Sequence, residues 1–354
     1  MANYDQFAAA VKELSGGKNV VLLDDVGLPS VMVPINKCKN SDLVSGLSQN
    51  IHPAFRVNTV EKPCFYFSKY ENITGDNGRA YSLAHRDPRV YVTFDQAKAA
   101  CDAKGAGFHL TSLAEWAAVA LWCRKNGTMP RGNNNYGADH GYPHERGQVS
   151  YKYTDSGTER DGRTFTGSGP ATWGHDWTQF GIQDMNGNVW EWLSGMRLKD
   201  GEIQIIVDNN AAMGADCDHS DTSTLWKAIK NDGSIVAPGS AATLKYDFVS
   251  GHIQLTTGIT SAVDQGRGGE YKDMTLASGL TAPELAKVLI LYPDEPAGNY
   301  GGDYHWMNNV GERLPVVGGD WLDAARAGVF YLYLRDPRSL SNPYVGFRSA
   351  FVEL

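Results

Sequence analysis

Gly181-Ile182-Gln183-Asp184-Met185-Asn186-Gly187-Asn188-Val189-Trp190-Glu191-Trp192 is the most informative segment of the chain. Trp190 and Trp192 stand two apart, so on a strand they share one face while Glu191 takes the other. Gly187 offers the turn before them a conformation that only a residue without Cβ tolerates well. Upstream, residues 127–180 are rich in Gly, Asn and Asp and show almost no periodicity. A stretch of that length without regular structure inside a compact domain signals functional or carefully packed loops.

Further upstream the pattern is regular. Cys64–Lys69 and Arg89–Thr93 read as strands. Thr93 and Gln96 have the spacing of a capping box and open a helix running to Lys104. Ser112 and Glu115 repeat the signal, and Trp116, Val119, Ala120 and Cys123 then form one apolar stripe. Two helices beside strands predict an α+β fold. Tyr4–Leu14 reads as a short amphipathic helix closed by Gly16-Gly17, followed by β-rich runs at Asn19–Leu23 and Ser30–Ile35. Residues 1–58 are therefore expected to form a small β-rich attachment or assembly module, and 59–354 the main domain. Within the main domain, residues 196–305 read as a long insertion able to form its own small sheet. It carries the alternation Ile203, Ile205, Val207 and a capped helix at Thr281–Tyr292.

Composition narrows the function classes. With 354 residues, two or three substructures are expected. Thirty-nine Gly, 9 Trp and 17 Tyr suggest a loop-rich fold pinned by aromatics. A net charge of −8 gives no basis for wrapping a phosphate backbone, so no nucleic-acid partner is expected. Met1 to Leu14 lacks a basic segment followed by an apolar one, and no apolar run approaches the roughly 18 residues a membrane span needs. The expectation is synthesis in the host cytoplasm without a signal peptide and no membrane insertion. The five cysteines are odd in number and form no CxxC, which fits free thiols.

Three motifs in order carry a resemblance. They are Asp95 to Cys101 with His109-Leu110-Thr111-Ser112-Leu113-Ala114-Glu115-Trp116, then Gly181 to Trp192, then Arg313-Leu314-Pro315-Val316-Val317-Gly318-Gly319-Asp320-Trp321 ending in Val345-Gly346-Phe347-Arg348-Ser349-Ala350. Together they resemble the formylglycine-generating-enzyme (sulfatase-modifying factor) domain, a variant of the C-type lectin fold, over roughly residues 60–195 and 310–354. The oxidase branch of that family holds copper with a cysteine pair between the two elements of the third motif, within what is here Trp321 to Gly346. This interval contains no cysteine, and copper(I) needs soft thiolate ligands. The resemblance also implies a structural calcium near Asn186, Gly187, Val189 and Glu191, whose oxygen atoms suit that ion; a hydrogen-bonded turn without metal reads equally well. No other cofactor is implied.

The last forty residues carry the functional reading. In Phe330 to Asp336, read as a strand, Phe330, Leu332 and Leu334 point to one side, and Tyr331, Tyr333 and Arg335 to the other. The first set joins the core and the second faces solvent, and Tyr and Arg are enriched at binding hot spots. The string from Gly318 to Arg348 resembles the variable region of proteins diversified by retroelements. The matching variable slots hold Asp320, Leu322, Asp323, Arg326, Tyr331, Tyr333, Arg335, Asp336, Leu340, Asn342, Pro343 and Tyr344. The resemblance implies a non-catalytic phage tropism protein, virion- or tail-associated. It would grip a bacterial cell-surface protein or glycan with that face and hold its carrier through the N-terminal module, with self-association a further expectation. Two alternatives stand beside it: a divergent oxidase or other metal-dependent enzyme, and a variable binder displayed on a bacterial surface.

Overall fold

The computed structural model describes residues 4–354. Three sheets carry the α+β architecture. A five-stranded sheet runs in the order Val20–Leu23, Pro29–Asn36, Cys64–Ser68, Ser349–Phe351, Phe108–Leu110. The C-terminal strand thus lies between strands from the first third of the chain. The N-terminal runs are not set apart from the main domain. Pro29–Asn36 pairs antiparallel with Cys64–Ser68 from Met32 opposite Ser68 to Asn36 opposite Cys64, because Met32 and Val33 need the core of the larger sheet for burial.

Both capping boxes form. Thr93 Oγ1 accepts from the Gln96 amide at 3.3 Å while Gln96 Oε1 accepts from the Thr93 amide at 3.0 Å, opening the helix Phe94–Asp102. Ser112 and Glu115 do the same for Leu113–Asn126, which ends at Gly127 in the left-handed region at φ 68°. That second helix does not bury a single stripe. Leu113 through Leu121, and Cys123, are all buried, so the helix is enclosed on every side through its first turns. Arg89–Thr93, expected as a strand, is an irregular connection bent at Tyr91, with φ 54°, and its Val90 and Val92 are buried outside any strand.

The interval 196–305 builds most of an eight-stranded sheet around Glu202–Ile206, a strand buried on both faces. It is not autonomous: Met196–Lys199 pairs with Glu312–Arg313 beyond it. The expected helix at Thr281–Tyr292 shrinks to Glu284–Val288 with no side-chain cap. Pro283 precedes it, and the Glu284 carboxylate is drawn to Ser48 and Asn40. Among the described residues no helix is long and apolar enough to cross a membrane.

The six-stranded sheet positions the site. Its order is Arg267–Glu270, Tyr304–Met307, Gly328–Leu334, Val316–Gly318, Trp190–Trp192, Val345–Phe347. The expected alternation holds in its third strand. Phe330, Leu332 and Leu334 join the main core, while Tyr331 and Tyr333 join a second cluster with Trp190 and Trp192. A bulge lies where Val317 pairs with Leu332 but Gly318 pairs with Gly328, so Val329 and Phe330 both enter the core. The buried Asp303 carboxylate accepts from the Phe330 amide at 2.8 Å and fixes that bulge. A Cβ at position 328 would lie 2.2 Å from Asp303 Oδ1, which explains the glycine.

Candidate functional site: an aromatic pocket and the clamp behind it

The deciding motif forms the clamp. Trp190 and Trp192 pack on one face, their Nε1 atoms donating to Asp320 Oδ2 at 3.2 Å and to the Val92 carbonyl at 2.9 Å. Glu191, on the other face, receives Arg348: Nε and Nη2 each donate to its carboxylate at 2.6 Å. The remaining Arg348 donors reach the carbonyls of Ser68 and Lys69, at 3.0 and 3.3 Å, and of Gln183, at 3.0 Å. One arginine thereby ties the C-terminus to the decisive motif and to the five-stranded sheet.

The calcium set implied by the resemblance does not fit this arrangement. Both Glu191 carboxylate oxygens are occupied by Arg348, a fixed positive charge that a divalent cation would have to face. Asn186 is spent as well: its Oδ1 accepts from Asn134 Nδ2 at 3.0 Å, and its Nδ2 donates to the Pro130 carbonyl at 2.8 Å. Gly187 serves packing, since a Cβ there would lie 2.1 Å from the Asn133 carbonyl oxygen and its φ is +76°. Burial pushes Glu71 well above the usual carboxylate range and Asp184 up to about 6.

The variable-slot positions come together on the opposite side of the sheet. A cavity of about 360 Å³ is lined by Asp320, Asp323, Arg326, Tyr331, Tyr333, Arg335, Asp336, Leu340, Asn342 and Tyr344. Leu322 and Pro343 do not line it. Leu322 packs beside Trp321, and the Pro343 carbonyl accepts from Arg163 Nη1 at 3.1 Å. Four lining residues lay outside the sequence expectation: Trp190, Trp306, Val316 and Val345. The alternation Tyr304-His305-Trp306-Met307 was the signal available for Trp306, which stands on the neighbouring strand parallel to Tyr333.

One expectation is corrected. Tyr331 does not face solvent; it is 1% exposed. Trp190 covers its ring edge-on at a centroid distance of 4.4 Å, its hydroxyl oxygen accepts from Trp306 Nε1 at 3.1 Å, and it donates towards Asp323 Oδ1 at 3.4 Å. Tyr331 is thus the pocket floor, whereas Tyr333 is half-buried and forms its wall, 5.0 Å from Trp190 and 6.2 Å from Trp306. The turn after Gly319 completes the floor. Asp323 Oδ2 accepts from the Asp320 amide at 2.9 Å, and Asp320 Oδ1 from the Leu322 amide at 2.7 Å. Burial, and then the adjacent Asp323 carboxyl, push Asp320 up to about 8; burial raises Asp323 in the same direction. All five cysteines are unpaired, and none lines the pocket.

Fold and site define a mixed α+β, C-type-lectin-like domain that carries an aromatic, carboxyl-floored pocket on its C-terminal strands. The model of the sulfatase-modifying factor enzyme 1-like domain matches residues 47–248, and the chain belongs to that family. The match takes in the Trp190 motif and much of the interval after it, while the pocket's 320–345 side lies beyond it. Similar solved structures include Treponema denticola variable protein 1, at 13% identity over 95% of this chain and 99% of that one, with a TM-score of 0.35. The Major Tropism Determinant P3c variant is similar at 10% identity over 94% of this chain and 71% of that one, with a TM-score of 0.31. No curated protein matches the chain.

Proposed function

We propose that this protein is a non-catalytic receptor-binding protein whose pocket is diversified by a retroelement and grips a bacterial surface protein or glycan. The observation that carries the reading is convergence. Ten of the twelve variable-slot positions line one cavity, and the residues between them, Phe330, Leu332 and Leu334, are buried behind it. A rigid sheet that separates packing from contact can change its contacts without losing its fold. Against the oxidase alternative stands the absence of cysteine from Trp321 to Gly346, which leaves copper(I) without the thiolate pair it requires. Tropism is what its name says of the Major Tropism Determinant; for this chain, a tropism role on a virion is proposed on the pocket, and the N-terminal segment is proposed to hold the carrier.

Two measurements test it. Labelled protein is expected to bind a subset of a panel of bacterial strains, and Tyr333→Ala to abolish that binding; unchanged binding by the variant overturns the assignment of the face. At the nucleotide level, an imperfect repeat of the 3′ coding end, differing at template adenines beside a reverse transcriptase gene, is expected. Its absence ends the diversification reading. Formation of formylglycine on a cysteine-containing peptide with copper would establish the oxidase instead.

A further inference from the structure

The floor of the pocket, as distinct from its walls, is acidic and aromatic, and this selects a ligand. Every donor on its floor points inward. Trp190 Nε1 is spent on Asp320, Trp306 Nε1 on Tyr331, the Tyr331 hydroxyl on Asp323, and the Leu322 and Asp320 amides on the two carboxyls. What the floor itself offers a ligand is the Asp323 carboxylate, the Asp320 carboxyl and aromatic faces, while Arg326, Arg335 and Asn342 stand around it as donors. The floor groups attract positive charge and reward a donor-rich group. The rings do not lie in one plane: Trp190 meets Tyr331 at 61° and Tyr333 at 49°, and Trp306 meets Tyr333 at 48°. They enclose a small volume rather than present one flat platform of the kind a sugar ring stacks on.

The molecule supplies its own weak occupant. Arg326 Nη2 lies 3.4 Å from Asp323 Oδ1, with its side chain 45% exposed, and its guanidinium is 6.0 Å from the Tyr304 ring. An arginine so placed neutralises the floor loosely and can be displaced. Arg335 and Asp336 stand together at the mouth and leave it close to charge balance.

Resting on the receptor-binding reading, we infer that the pocket takes a cationic side chain, lysine or arginine, from a protein receptor, which replaces Arg326 on the Asp320–Asp323 floor. The pH behaviour follows from the same groups. Asp320, held at about 8, faces Asp323 and Arg326 on its own turn, the Trp190 indole on the strand beside it and Tyr344 on the opposite loop. A cation entering the floor expels the proton that Asp320 retains at neutral pH, so affinity rises as pH rises through 8.

The test uses the full chain and ligand-observed NMR titration with N-acetyl-lysine methylamide and N-acetyl-arginine methylamide. N-acetyl-norleucine methylamide, N-acetyl-glutamate methylamide and methyl glycosides serve as comparisons. The cationic probes are expected to bind preferentially, and more tightly at pH 9 than at pH 6.5. Arg326→Gln, at an exposed position that leaves the fold intact, is expected to tighten them about threefold, the scale of an exposed ion pair. Asp323→Asn is expected to weaken them about tenfold. Preferential binding of the glutamate probe or a glycoside, weaker cation binding by Arg326→Gln, or no binding of any probe at millimolar concentration overturns the inference. The two readings fail separately. Cell binding lost in Tyr333→Ala without charge preference among the probes leaves the receptor reading and removes the cation. Lysine-probe binding with cell binding intact in Tyr333→Ala does the reverse.

Discussion

Two buried carboxyl clusters lie on opposite faces of the same short strand, and they treat their arginines differently. Behind Trp190–Trp192, Arg348 is fully buried and places its donors on Glu191 and on three carbonyls. In front, Arg326 is half in solvent and holds Asp323 at 3.4 Å. The first cluster is closed and complete, so its charge can serve only the fold. The second is open and under-filled, so a group from outside can improve it. The contrast separates scaffold from site better than residue type does, since each cluster is built from the same acids and the same base.

The largest effect expected from this comparison is on the closed side. Arg348→Met leaves Glu191 buried without its partner and frees the carbonyls of Ser68 and Gln183. A loss of about 3–5 kcal/mol is expected in denaturant unfolding, whereas Arg326→Met is expected to move the midpoint by less than about 1 kcal/mol. Equal losses would erase the distinction between clamp and site.

Within the pocket, the same distinction separates two tyrosines. Tyr331→Ala empties a fully buried volume under Trp190 and orphans Trp306 Nε1. It is expected to cost about 3 kcal/mol of stability. Tyr333→Ala, half-buried, is expected to cost about 1 kcal/mol while removing binding. Thermal unfolding of the two variants side by side measures this. A Tyr333 loss as large as that of Tyr331 would make both rings scaffold.

What was legible in the sequence was local. Thr93 with Gln96, Ser112 with Glu115, and the alternation from Phe330 to Leu334 each act within one element, and each forms as read. What was hidden depends on partners far along the chain. Tyr331 looks like a surface residue until the Trp190 strand, two positions away in the sheet, covers it. Trp306 enters the site from the strand beyond the long insertion, and the N-terminal strands lose their independence only through pairing with Cys64–Ser68. Glu191 reads in the sequence only as part of a turn, with or without calcium, and its contact with Arg348, 157 residues on, cannot be seen from the motif. The Arg89–Thr93 segment has strand-like residues, but Tyr91 turns the backbone and its amides bond singly to Asn72 and Asn342 rather than in a ladder.

The last contrast expected is a difference in pH dependence between the two clusters. Asp184, near Arg348, is held at about 6 by burial, with the Gly167 amide and Arg348 opposing the shift. An unfolded aspartate titrates near 3.9. Between about pH 4 and 6 the folded protein therefore retains a proton on Asp184 that the unfolded chain has lost, and stability falls as pH rises through this window. The limiting slope for one such group is about 1.4 kcal/mol per pH unit. For Asp320, held at about 8, the corresponding window runs from about pH 4 to 8. Asp184→Asn is expected to reduce the slope of the unfolding midpoint below pH 6 and leave the higher range unchanged, while Asp320→Asn reduces it across the whole window from about pH 4 to 8, including the range between 6 and 8. Bound lysine probe is expected to shrink only the second slope, because a cation on the floor stabilises ionised Asp320 and does not reach the cluster behind the strand. A probe that altered the Asp184 window instead would place the cation on the Arg348 side, and the closed cluster would have to open.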